Sequence, residues 1–182
     1  DEYPELPKEH AQAFRRLVAR ANCISIDRPD IAFAVKELCR RMSSPTERDW
    51  NHLVRLGKFL NGRRRAAQMF EWQQDDRDMK VYADSNFAGC KMTRKSTSGG
   101  CVMIGKHYIR GLSKTQAVIS LSSGESELAG IVRGTCEALG AKSVSRDLGQ
   151  EVEGVVFTDS SAALSMTRRI GAGKIRHLDT SM

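Results

Sequence analysis

Long apolar runs are missing from this 182-residue chain, and no stretch approaches the roughly eighteen consecutive apolar residues that a membrane span requires. No membrane partner is expected. The N-terminal segment Asp1-Glu2-Tyr3-Pro4-Glu5 also lacks the basic-then-apolar order of a signal peptide, so nothing here is expected to target a membrane. Cysteine is scarce and poorly spaced: Cys23, Cys39, Cys90, Cys101 and Cys136 are odd in number and contain no Cys-x-x-Cys pair. That excludes a disulfide framework and a zinc-ribbon site. Internal repeats and low-complexity tracts are absent as well. Acidic residues are outnumbered, 22 against 29 Lys and Arg, and the resulting net charge of +7 favours a polyanionic partner. A solvated basic surface explains the charge equally well. The 40 % hydrophobic content suffices to bury the core of one large domain or two small ones.

What is present changes in style near residue 75. Before it the apolar spacing is helical. A first helix is predicted over Ala11 to Asn22, with Phe14, Leu17, Val18 and Ala21 on one face. A second follows Arg28-Pro29 with Asp30 as cap and Ile31, Ala34, Val35, Leu38 and Met42 as its stripe. Ser44 and Glu47 have capping-box spacing before a third helix that carries Trp50, Leu53, Val54, Leu56 and Leu60, and Asn61-Gly62 stops it. After residue 75 strands are predicted at Met79 to Ala83, Gly99 to Ile104, His107 to Leu112, Ala117 to Ser120 and Gly154 to Thr158, with another candidate just upstream at Ala67 to Trp72. A long helix from about Ser123 to Asp147 repeats Leu128, Ile131, Val132, Cys136 and Leu139 at three and four. A shorter helix is predicted from about Ser160 to Arg168. Hairpins, a helix, then a strand returning to the sheet define an α/β layer architecture.

Three acidic residues sit where these elements stop or start. Asp84 ends the strand Lys80-Val81-Tyr82-Ala83, Asp159 ends Val155-Val156-Phe157-Thr158, and Glu127 lies in the first turn of the long helix. Carboxylates at apolar strand ends are costly to desolvate unless a cation neutralises them. Each has an ordinary explanation taken singly. Asp84-Ser85-Asn86 is turn chemistry, Asp159 can cap the helix after it, and Glu127 complements a helix dipole.

Their order and surroundings add more. Tyr82-Ala83-Asp84-Ser85-Asn86-Phe87-Ala88-Gly89, Arg94-Lys95-Ser96-Thr97-Ser98-Gly99-Gly100, Leu121-Ser122-Ser123-Gly124-Glu125-Ser126-Glu127-Leu128, Phe157-Thr158-Asp159-Ser160-Ser161-Ala162-Ala163 and Arg176-His177-Leu178-Asp179 follow one another along the chain. In that order they resemble the ribonuclease H blocks of copia-type retrotransposon polyproteins. Phe14-Arg15-Arg16-Leu17-Val18 and Arg28-Pro29-Asp30-Ile31-Ala32-Phe33-Ala34-Val35 resemble the segment that joins the polymerase to that nuclease. The resemblance implies a helical reverse transcriptase connection over residues 1–75 and a ribonuclease H-like domain over 76–182, with a mixed five-stranded sheet and flanking helices. It also implies two Mg²⁺ ions, replaceable by Mn²⁺, held by Asp84, Glu127, Asp159 and Asp179, which hydrolyse the RNA strand of an RNA/DNA hybrid. Further implied are the polymerase domain of the same polyprotein as a partner, and a cytoplasmic or nuclear location, including virus-like particles. The chemistry is coherent, because two metal ions about 3.5 to 4 Å apart can clamp the attacking and leaving oxygens of an in-line displacement, and hard oxygen ligands suit Mg²⁺.

Glu125 and Glu127 share one block and need separate roles. Residues two apart on a helix project about 200° apart, so both do not serve one metal pair. Ser122 and Glu125 have capping-box spacing, and Glu127 before Leu128 matches the catalytic position of the wider superfamily. Arg94, Lys95, Lys114, Lys91 and Lys174 are candidates for phosphate contacts; Ser98, Gln116, Ser122 and Ser123 are candidates for sugar or base edges. His177 is a candidate for proton transfer or for ordering Asp179.

The family's pattern is not met everywhere. Asn86 and Phe87 stand where an acidic residue and a Trp are common, Gly100 where an aromatic often follows Thr-Ser-Gly, and Ile109 to Leu112 where a Trp is frequent; Ser160-Ser161 replaces Asn-Gln. Two rivals follow: a decayed fragment that binds nucleic acid without cutting it, and a DNA-joining transposase or integrase of the same superfamily.

Overall fold

The computed structural model describes residues 3–74 and 78–170. The chain divides into two compact units, Asp1–Phe70 and Glu71–Met182. Among the described residues no helix is long and apolar enough to cross a membrane.

The first unit is helical. α1 spans Lys8–Ile24, α2 spans Ala32–Cys39 after a short 3-10 turn at Pro29–Ile31, and α3 spans Glu47–Gly62. Phe14, Val18 and Ala21 of α1 recur at three and four and meet Val35 and Leu38 of α2 and Leu53 and Leu56 of α3 in one buried cluster. Two expected caps are replaced. Asp30 caps nothing; its carboxylate accepts from the Arg28 guanidinium at 2.8 and 2.9 Å. α3 is capped by Thr46, whose backbone N–H and hydroxyl both donate to the buried Asp49 carboxylate at 2.9 and 2.7 Å, so the capping box lies two residues beyond the Ser44 and Glu47 pairing.

The second unit is a mixed sheet with helices. β1 (Asp78–Asn86), β2 (Thr97–Ile104) and β3 (His107–Thr115) form an antiparallel meander, then α4 (Ser123–Asp147) leads to β4 (Glu153–Phe157) and α5 (Ser161–Thr167). β4 lies parallel to β1, giving the order β3-β2-β1-β4. A parallel return through a helix buries one sheet face under that helix. Met79, Val81 and Val102 supply this core from the sheet, with Ala138 from α4 and Val152 from the start of the return.

Four strands stand among the described residues where five were expected. Ala67 to Trp72 and Ala117 to Ser120 are not strands. Met69, Phe70 and Trp72 are exposed, as are Val118 and Ile119, so neither run has the half-buried alternation that a strand needs.

α4 also turns a different face to the sheet from the expected one. Val132, Cys136 and Leu139 point outward, whereas Ser126, Gly130, Gly134 and Ala138, four residues apart, are buried. The sheet already supplies the bulk. A Cβ on Gly134 would come within 3.1 Å of the Ala83 Cβ and 3.4 Å of Val81 Cγ1, and one on Gly130 within 3.4 Å of the Asp84 carbonyl oxygen. Small side chains therefore let the helix lie close on β1, and this closeness delivers its first turn to the end of the strand.

Candidate metal centre

The ends of four elements converge on one edge of the sheet. β1 pairs with β4 through Val81 with Val156 and Tyr82 with Phe157, so the same register continued two residues past β4 sets Asp159 level with Asp84. On the other side Asp84 pairs with Gly99 and Ser85 with Ser98, while α4 begins at Ser123 over the same edge. The outcome is a cluster in which Asp84, Glu127 and Asp159 each offer a carboxylate oxygen within 4.8 Å of the others. Asp84 and Asp159 are exposed and Glu127 is half-buried.

The ordinary explanations for these acids are taken up by neighbours. Ser160, not Asp159, caps α5, accepting from the Ala163 N–H at 3.2 Å. The acidic residue of α4's first turn is Glu125. Asp84 lies inside β1 rather than in a turn, with one oxygen accepting from the Ser85 N–H at 2.7 Å.

Electrostatically the cluster is unbalanced. Among the described residues no cation pairs with any of the three, and one Glu127 oxygen, Oε2, is buried without a hydrogen-bond partner. Burial first, then the charges of Asp84 and Asp159, push the Glu127 carboxyl above the usual carboxylate range, against a weaker opposing pull from the Ser85 backbone. Three hard anionic donors with an orphaned oxygen fit a small divalent cation, which would neutralise the repulsion and satisfy that oxygen.

A stability consequence follows from the raised Glu127 pKa. Between the ordinary carboxylate range and the raised folded value the folded chain binds more protons than the unfolded one, so this group costs stability as pH rises through that window. Glu127→Gln removes the cost. In EDTA, calorimetry at a series of pH values is expected to show the variant gaining on wild type as pH rises through the window and melting higher at neutral pH; a variant less stable there would contradict the repulsion.

Glu125 has a separate task. Its Oε2 accepts from the Leu121 N–H at 2.7 Å, and its own N–H donates to the Ser122 hydroxyl at 3.3 Å, so it reaches one residue further back than the expected cap amide. Glu125→Ala is expected to cost about 0.5 to 2 kcal/mol in denaturant unfolding, the usual loss for a removed cap. Glu125→Gln keeps the acceptor and is expected to leave divalent-cation binding at the cluster intact; loss of binding there with binding kept in Glu127→Gln would exchange the two roles.

The other candidate contacts divide by exposure. Arg94, Lys114 and Ser123 are exposed, Lys95 is half-buried, and all four lie at or beyond the strand and helix ends of the carboxylate edge. Ser98 and Gln116, the other two residues expected at the substrate, are buried and hydrogen-bonded to each other at 3.0 Å. Asp179, with Lys174 and His177, lies outside the described residues. The hydrophobic pattern missed the polar packing around Ser85, Ser98, Gln116 and Ser126. Its signal is the inward alternation of Ser96, just before β2, and Ser98 on it.

Fold and site together define an α/β protein whose mixed sheet gathers three carboxylates at one edge. The chain is homologous to a segment of the retrovirus-related Pol polyproteins of copia-type transposons. It is 28 % identical over 152 residues to the Pol polyprotein from transposon RE2 of Arabidopsis thaliana, covering 82 % of this chain and 10 % of that protein. Over 136 residues it is 30 % identical to the Pol polyprotein from transposon RE1 of the same plant, 75 % of this chain and 9 % of the relative. It is also 33 % identical over 114 residues to an uncharacterized mitochondrial protein of Arabidopsis thaliana, 63 % of this chain and 47 % of that one. The chain thus spans about half of the mitochondrial relative and about a tenth of each polyprotein. No family model and no solved structure matches it.

Proposed function

We propose that the second unit is a ribonuclease H-like nuclease that hydrolyses the RNA strand of RNA/DNA hybrids formed in reverse transcription, and that residues 1–75 are the helical connection to the polymerase domain of the same polyprotein. The observation that carries this reading is the meeting of Asp84, Glu127 and Asp159 within 4.8 Å, in the chain order of the family's blocks and without a neutralising cation among the described residues.

In this reading Asp84, Glu127 and Asp159, with Asp179 as the fourth acid implied by its block, hold two Mg²⁺ or Mn²⁺ ions. Bound there, the metals supply an activated water and stabilise the leaving oxygen. The chain itself presents hard oxygens at a strand edge, keeps one Glu127 oxygen free of competing hydrogen bonds, and sets Arg94 and Lys114 in solvent where phosphates can reach them. Such contacts hold a duplex without reading its sequence, as a nuclease acting along a whole transcript requires.

The departures at Asn86, Phe87, Gly100 and Ser160-Ser161 favour a second reading, in which the chain binds hybrid without cutting it. Strand-specific labelling tests the proposal. With Mg²⁺, label on the RNA strand is expected to appear in short fragments while label on the DNA strand stays full length. Binding with both strands intact would support the second reading, and joining of labelled DNA ends would assign the carboxylates to strand transfer instead.

A further inference from the structure

Gln116 lies just beyond the end of β3 and is 8 % exposed. Its side-chain amide nitrogen donates to the Ser98 hydroxyl of β2 at 3.0 Å, the Ser126 carbonyl of α4 at 2.8 Å and the Ser85 hydroxyl of β1 at 3.2 Å. Its oxygen accepts from the Ser120 hydroxyl at 3.2 Å, and its backbone N–H donates to the Ser96 carbonyl at 2.9 Å. Ser85 and Ser126 are themselves linked through their hydroxyls at 2.7 Å.

Ser85 follows Asp84, and Ser126 precedes Glu127. One buried amide therefore grips the neighbours of two carboxylates that repel each other and lie on different elements. Two amide hydrogens serve three acceptors, so the geometry is shared, and a side chain of another length or without donors cannot reproduce it. A tie of this kind is needed here, because the contact between α4 and β1 is made by glycines and small side chains that approach closely without interlocking.

We infer that Gln116 is a positioning residue that fixes the first turn of α4 on the end of β1 and so holds Asp84 and Glu127 at metal-binding separation. In this role it acts through its serine neighbours and not on metal or substrate. The inference rests on the nuclease reading of this site, and groups that orient metal ligands commonly govern affinity as strongly as they govern stability.

The test is Mn²⁺ affinity, read from the electron paramagnetic resonance signal of free Mn²⁺, for the full chain and two variants. Gln116→Met keeps length and loses every donor; it is expected to bind Mn²⁺ roughly 10- to 100-fold more weakly. Val152→Ala opens the core at the opposite end of β4, so it is expected to melt at lower temperature with unchanged Mn²⁺ affinity. If Gln116→Met fails to fold, Ser85→Ala cuts the same network at β1 and is expected to weaken binding in the same direction. Wild-type affinity in folded Gln116→Met, or in Ser85→Ala where that variant has to stand in, would overturn the inference and leave the nuclease reading standing. An equal loss of affinity in Val152→Ala would reduce Gln116 to general stability and overturn it too. No Mn²⁺ binding by the wild-type chain would overturn the nuclease reading and this inference with it.

Discussion

Asp84→Asn, Glu127→Gln and Asp159→Asn are each expected to abolish cleavage of RNA/DNA hybrid while the far-ultraviolet circular dichroism stays native. An amide keeps the shape of the side chain and removes the charge that holds a divalent cation. Metal-assisted hydrolysis draws several kcal/mol of transition-state stabilisation from its ions, so losing a ligand should slow the reaction on the order of a thousandfold or more. The three variants differ in what else they do. Burial and the charges of the other two acids hold the Glu127 carboxyl above its usual range. Its amide variant should therefore be inactive and more stable in EDTA, a combination that general disruption of the fold does not produce. Near-normal turnover by any of the three would remove that residue from the site.

The second large effect is expected from a residue that carries no chemistry. A Cβ on Gly100 would overlap the backbone carbonyl oxygen of Tyr82, and the next nearest atoms, the Tyr82 carbonyl carbon and the Ala83 Cα, are backbone as well. A clash with backbone cannot be relieved by turning a side chain. Gly100 pairs with Ala83, next to Asp84, so any shift of β1 to admit a methyl group moves the carboxylate edge. Gly100→Ala is expected to cost about 3 kcal/mol, the upper end of the range for overpacking, and to weaken Mn²⁺ binding at the same time. Denaturant unfolding and the Mn²⁺ titration read the two effects separately. A variant as stable as wild type would show that β1 and β2 are further apart at this point than the register states. The same contact accounts for glycine at a position where the resembling family often has an aromatic residue.

Elements with long periodic signals are legible in the sequence. The helix expected over Ser123 to Asp147 is α4 with the same bounds, and the strand at Gly154 to Thr158 is β4 displaced by one residue. Asp84, Glu127 and Asp159 stand out in the sequence because each lies near an element end within an ordered block, and the fold brings the three together. The buried face of α4 was not, since period counting follows bulky apolar residues, and this helix buries Ser126, Gly130, Gly134 and Ala138. Short apolar runs misled for a related reason. Ala117 to Ser120 has strand-like composition, yet the backbone there leaves β3 at Gln116, whose amide binds into the interior while Val118 and Ile119 remain exposed. Caps of the first unit moved by a residue or two because several Ser, Thr and Asp side chains compete for the same role, and tertiary contacts choose among them: Ser44 donates to Glu5 at 3.2 Å and leaves the cap of α3 to Thr46. A network such as that of Gln116 is invisible to hydrophobic patterning, since all its members are polar.

The claim that this edge is a metal-dependent nuclease site is tested most directly by following end-labelled RNA in an RNA/DNA hybrid during incubation with the purified chain, first in Mg²⁺ and then in EDTA, with Glu127→Gln in parallel. The account predicts RNA fragments from the wild-type chain in Mg²⁺, and none in EDTA or from the variant. Intact RNA after incubation with folded wild-type chain in Mg²⁺, or equal fragmentation by Glu127→Gln, would contradict it.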